Sequence, residues 1–172
     1  MALPKSIRLE TEQIIELLTL AEALIRSDRL AEAAEQYRRL LDEPALDEVP
    51  MARTEVFANY GALLLHEARL DPDGALGEHR LDQAIDMLVR AQHGYRLGQG
   101  AGSGVTTATN LALAYFQRHR STGQHADLIS AHLALDGAET AADPEDQAML
   151  EWIGSIRQAL SARVDRQRQA LA

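Results

Sequence analysis

Gly98, Gly100, Gly102 and Gly104 alternate just ahead of an apolar-periodic segment. This is the first place in the chain where residue spacing suggests chemistry, because backbone N–H groups at a helix start bind anions. A phosphate loop also needs a preceding strand and a following Lys-Ser or Lys-Thr pair. Here Val105 and Thr106 follow, and a helical segment precedes. A flexible connector is therefore expected at 98–104. The six histidines are His66, His79, His93, His119, His125 and His132. A metal site needs three or four converging ligands. Only His125 and His132 have a spacing that shares a helix face, so ordinary surface or groove roles are expected. Asp71 with Asp73, and Glu145 with Asp146, read as turn and cap residues. No serine lies in a nucleophile elbow. Without cysteine there is no thiolate, disulfide or thiolate-ligated metal. A base, a nucleophile and an oxyanion site do not occur together. The sequence predicts no enzyme, no cofactor and no metal.

Composition narrows the partners. The 172 residues suit one domain, 1–172. At 46% hydrophobic and 25% charged they suit a globular fold. The net charge of −9 disfavours nucleic acid, whose phosphates need concentrated cations. Lys5 is the only lysine, and the arginine-rich balance fits a GC-rich bacterial genome. Arg157, Arg163, Arg166 and Arg168 near the end read as a solvated helix terminus that complements its dipole. No run approaches the roughly 18 apolar residues of a membrane span, so no membrane partner is expected. MALPKSIRLETEQ lacks the apolar core of a signal peptide. A cytoplasmic location is the expectation.

Ala and Leu dominate, and few β-branched or aromatic runs exist to build a sheet. Ile14, Leu17, Leu18, Ala21, Leu24 and Ile25 follow the helical i, i+3, i+4, i+7 rule from Thr11 to Arg26. Leu30, Ala33, Ala34, Tyr37, Leu40 and Leu41 make a second stripe after the turn Ser27-Asp28-Arg29. Pro44 and Pro50 bracket a connector that cannot be regular helix throughout. A third helix is predicted from about Met51, and a fourth carries Leu81, Ala84, Ile85, Leu88 and Ala91. A fifth carries Val105, Ala108, Leu111, Ala112 and Tyr115. A sixth carries Leu128, Ile129, His132 and Leu135. In the seventh, Asp143 is the predicted cap and Pro144 the first helical residue. Met149, Trp152, Ile153, Ile156, Leu160 and Val164 form its apolar stripe.

The offsets Leu17, Leu20, Ala21, Leu24, Ala33, Tyr37, Leu40 and Pro44 resemble the tetratricopeptide repeat, a helix-turn-helix unit of about 34 residues. Phe57, Tyr60, Gly61 and Leu64 repeat the first four, and Leu111, Ala112 and Tyr115 repeat three of them. The resemblance implies an all-α, TPR-like α-solenoid of three helix-turn-helix pairs plus a C-terminal capping helix. The repeats would fall at about 12–44, 52–93 and 105–140, with the capping helix at about 144–165. The second repeat departs from the pattern by an insertion at 67–79, with a turn signal at Asp71-Pro72-Asp73-Gly74.

In that family the first helix of each pair lines a concave ligand groove. Carried onto this chain, the groove is Leu18, Glu22, Ile25 and Arg26, then Asn59, Leu65 and His66, then Asn110, Leu113 and Phe116. Family members that clamp a chaperone's C-terminal carboxylate use Lys, Asn and Arg there. Here only Asn59 fits, and the lysines are absent. The implied function is non-enzymatic binding of a peptide or partner protein in a partly apolar groove. Asn59 and Asn110 would bond the peptide backbone, and the insertion and glycine loop would tune partner choice. Three alternatives stand beside it. One is a small acidic chaperone of secreted proteins. Another is a self-associating accessory subunit, for which a homodimer is expected. The third is a ligand site at the glycine loop.

Overall fold

The computed structural model describes residues 11–70, 75–102 and 104–170. Among these residues the chain is all-helical, with no strand. The helices are α1 (Thr11–Arg26), α2 (Leu30–Leu41), α3 (Pro50–Leu70), α4 (Ala75–Arg96), α5 (Val105–Thr122), α6 (His125–Ala141) and α7 (Gln147–Ala170). A short 3-10 helix, Pro44–Glu48, fills the connector between the two prolines. No described helix is long and apolar enough to cross a membrane.

Local chemistry sets the helix ends. After α1 the Arg29 N–H donates to the Leu24 carbonyl and the Asp28 N–H to the Ile25 carbonyl. That is the Schellman arrangement, with Asp28 at φ +58° as its left-handed residue. The same pair of bonds closes α4. The Gln99 N–H donates to Gly94 and the Gly98 N–H to Tyr95, with Gly98 at φ +70°. The start of α7 differs from the sequence expectation. Asp143 begins a separate turn, its Oδ1 accepting from the Glu145 N–H at 2.9 Å. Asp146 then caps the helix, its Oδ1 accepting from the Met149 N–H at 3.0 Å. Pro144 lies in that turn and is not the first helical residue.

The most extensively packed neighbours, α3 and α4, run antiparallel. In α3 and α4, Arg80 meets Glu67 at 3.3 Å near one end and Tyr95 bonds Glu55 near the other. The pair packs closely because Gly61 leaves room for Leu88. A Cβ at Gly61 would lie 2.8 Å from the Leu88 side chain and 3.2 Å from its backbone nitrogen. Gly94 serves the same end, since a Cβ there would overlap the Thr54 side chain. The insertion at 67–79 is absorbed largely by lengthening both helices. Its predicted turn at 71–74 lies outside the described residues.

Among the described residues no helix touches one more than two places along the chain. Two apolar cores result. The first joins Ile14, Tyr37, Leu40, Leu64 and Leu88 across α1 to α4. The second joins Leu128, Leu135, Ile153 and Leu160 across α5 to α7. Leu113, Tyr115 and Ala134 pack against both. Two residues of the predicted stripes face outward: Leu20 is 46% exposed and Ile129 64%. In α6 the buried stripe is Leu128, Ala131, Leu135 and Ala138, which Ile129 does not share. At the end of the chain Arg157 is not a merely solvated cation. Its guanidinium bonds Asp136 at 2.9 Å and Glu139 at 2.7 Å, tying α7 to α6.

Candidate functional site

The groove residues expected from the sequence are not all accessible. Leu65 is 3% exposed and belongs to the first core, so it cannot line an open groove. Leu18, Ile25 and Leu113 are half-buried and pack on that core, while Phe116 packs on the second. Asn59 donates from Nδ2 to Glu22 Oε1 at 3.2 Å, so part of its amide is engaged between α3 and α1. Asn110 is half-buried, and Arg26 and His66 are exposed. The structure brings Glu22 and Asn59 together, and of the predicted apolar lining it covers Leu65 fully and Leu18, Ile25, Leu113 and Phe116 in part.

The glycine loop is not a free connector. The Glu55 carboxylate accepts from the Tyr95 hydroxyl at 3.1 Å and from the Ala101 N–H at 2.9 Å. Gly100 lies against the Tyr95 ring, where any Cβ would overlap it. Gly104, at φ +70°, leads into α5 through a conformation that side chains resist. These glycines serve close packing. The neighbouring pocket, about 300 Å³, is lined by Glu55, Asp143 and Asp146, so a phosphate would meet carboxylates there.

His119 also departs from a surface role. It is fully buried, with Nδ1 2.8 Å from the Gln124 carbonyl oxygen. A carbonyl only accepts, so Nδ1 carries the proton. His119 thereby helps lock the α5–α6 turn. Among the described residues no three His, Asp or Glu side chains converge to hold a metal ion.

Burial pushes all four tyrosine phenols upward. Tyr95 rises to about 12, by burial first and then by the charge of Glu55. Tyr37, Tyr60 and Tyr115 are raised mainly by burial as well. A folded pKa above the unfolded value near 10 stabilises the fold below pH 10. That contribution is lost as pH rises toward the folded values. Helix content and tyrosinate absorbance should therefore change together in one alkaline transition above pH 10. Tyrosines that ionise with an ordinary midpoint, while helicity stays intact, would contradict this burial.

A larger open feature lies elsewhere. A cleft of about 770 Å³ runs between α3, α4 and the start of α5. Arg53, Thr54 and Phe57 form one wall. Val89, Arg90, His93 and Arg96 form the other, with Leu97 beyond the end of α4 and Leu111 at the base. A second hollow of about 230 Å³ shares Gln92, Arg96 and Leu111 with it and extends to Leu133 and Ala134 of α6. The larger cleft falls within the roughly 300–1,000 Å³ usual for ligand pockets. Val89, Leu97 and Leu133 are 44%, 56% and 66% exposed. The Arg90 guanidinium lies 5.7 Å over the Phe57 ring and 3.0 Å from Asp86.

The sequence reading passes over this surface. Around α5, Leu111 and Leu113 point about 200° apart at 100° per residue, so the cleft and the expected groove use opposite sides of that helix. One signal was present: Val89 and Leu97 fall off the buried stripe of α4 and sit beside Arg90 and Arg96. No family model, curated protein or solved structure matches the chain.

Proposed function

We propose that this chain is a tetratricopeptide-like interaction module that binds a partner protein through the open cleft lined by α3, α4 and α5. The repeat offsets in the sequence support this reading, as do the antiparallel α3–α4 pair and helices that touch only near neighbours along the chain. The observation that carries it is the cleft itself, half apolar, with exposed Val89 and Leu97 at its edge. Exposed apolar patches framed by polar groups usually mark contact surfaces. Binding would be an equilibrium process in which a largely preformed surface lowers the ordering cost.

A photo-reactive residue placed at Leu97 tests this, with the exposed Gln158 on α7 as the control position. A discrete heavier adduct from Leu97 alone is the expected result. Adducts from both positions, or from neither, would count against the cleft. Self-association as an accessory subunit is the second reading. Ile129 and Leu133, one turn apart and both exposed on α6, favour it. Light scattering on the chain and on Ile129→Glu separates the two: a dimer lost in the variant supports self-association.

A further inference from the structure

We infer that the occupant of the cleft lined by α3, α4 and α5 is an acidic, apolar peptide segment of another protein. This inference rests on the cleft being the binding surface and adds the chemistry of what enters it. The charge of the cleft opposes that of the chain. The whole sequence carries −9, yet the cleft holds Arg53, Arg90 and Arg96 against one lining carboxylate, Asp47, and Asp86 beside Arg90. Arg53 pairs with Asp47 and Arg90 with Asp86, each at 3.0 Å and largely solvent-exposed. Exposed pairs are weak, about 0–1 kcal/mol, so an incoming carboxylate can exchange with them. Arg96 has no carboxylate partner among the described residues.

The apolar and cationic groups are interleaved. Val89, His93 and Arg96 follow the i, i+4, i+7 spacing of one helix face, and Leu97 adjoins them. A ligand matching this surface must offer carboxylates and aliphatic side chains together. A purely acidic chain would leave Val89 and Leu97 uncovered. A purely apolar one would leave Arg96 unpaired, and a basic one would meet three guanidiniums.

The test uses the full chain and a fluorescein-labelled peptide of repeating Leu-Leu-Glu-Glu pattern, with a counterpart in which Lys replaces every Glu. Fluorescence anisotropy is read at low and high salt. The acidic peptide should bind and the Lys peptide should not, with affinity falling as salt rises. The double variant Arg90→Glu, Arg96→Glu should bind the acidic peptide about tenfold more weakly or worse. Both side chains are exposed, so circular dichroism should confirm that the variant stays folded. Equal binding of the two peptides, no binding of the acidic one, or unchanged affinity in the variant would overturn the inference. So would a dimer of the parent chain that the double variant dissociates, since a second copy would then fill the cleft. A protein adduct at Leu97 without any acidic-peptide binding would sink the ligand assignment and leave the interaction role standing.

Discussion

Replacing Leu65 with Glu is expected to destabilise the folded state severely, not merely to release a partner. Leu65 is 3% exposed, and its neighbours Leu63 and Leu64 are buried as well. α3 buries Leu65 together with Leu64, Gly61 and Ala68 on the part of its circumference that its neighbours cover, while Glu55, Asn59, Ala62 and His66 run along the less buried strip. It contacts α1, α2, α4 and α5, and Leu65 lies within the first core, so a charge at that position has no route to solvent. A carboxylate there must either desolvate or push the helices apart. The cost should reach roughly 4–5 kcal/mol, the range reserved for buried unpaired charges and core defects. Domains of this kind are typically stable by about 5–15 kcal/mol, so from about a third to all of the margin would go. Circular dichroism with thermal melting checks it. A variant that melts at the parental temperature would show that Leu65 faces solvent.

The second large effect is expected at Arg118. Its guanidinium grips Asp127 with two bonds, Nε to Oδ2 at 3.0 Å and Nη2 to Oδ1 at 2.7 Å. Nη1 reaches Asp82 at 2.8 Å, and the cation stands 5.6 Å from the Tyr115 ring centroid. One side chain thus joins α4, α5 and α6. Asp127 holds the guanidinium well above its ordinary pKa, through the hydrogen bond first. The Asp127 side chain is only 3% exposed, so Arg118→Ala leaves a buried carboxylate without its cation. A loss of about 3 kcal/mol is expected in urea denaturation, at the lower end for broken buried pairs because Arg118 itself is partly exposed. Arg118→Lys should recover only part of it, because an ammonium cannot reproduce the two-bond fork. A loss below about 1 kcal/mol would mean that the pair behaves as an exposed one.

Helix positions were legible in the sequence because apolar periodicity reports which face is buried. The end of α1 at Arg26 and the limits Leu30–Leu41 follow directly from it, and so does the stripe Leu81, Ala84, Ile85, Leu88 and Ala91. The close approach at Gly61 was legible for the same reason. What periodicity does not report is which helices end up surrounded. Leu65 was placed in a groove from the register of a first helix, yet α3 sits between four neighbours. Local turn chemistry was ambiguous at Asp143 and Asp146, where either aspartate suits a cap and hydrogen bonding selects the second. The glycine loop resembled a linker because the Glu55 that holds it lies on α3, 46 residues before Ala101. The cleft was missed because its exposed residues, Val89, Arg90 and Leu97 among them, lie off the predicted stripes and meet Phe57 and Leu111 only through packing.

The most direct test of the interaction surface is hydrogen–deuterium exchange, measured on the chain alone and with the protein recovered by cross-linking from Leu97. Slower exchange at residues 53–57 and 89–99, with α7 unchanged, is the predicted result. Protection confined to residues 18–26 and 110–116, or no protection at all, would contradict binding through the cleft of α3, α4 and α5.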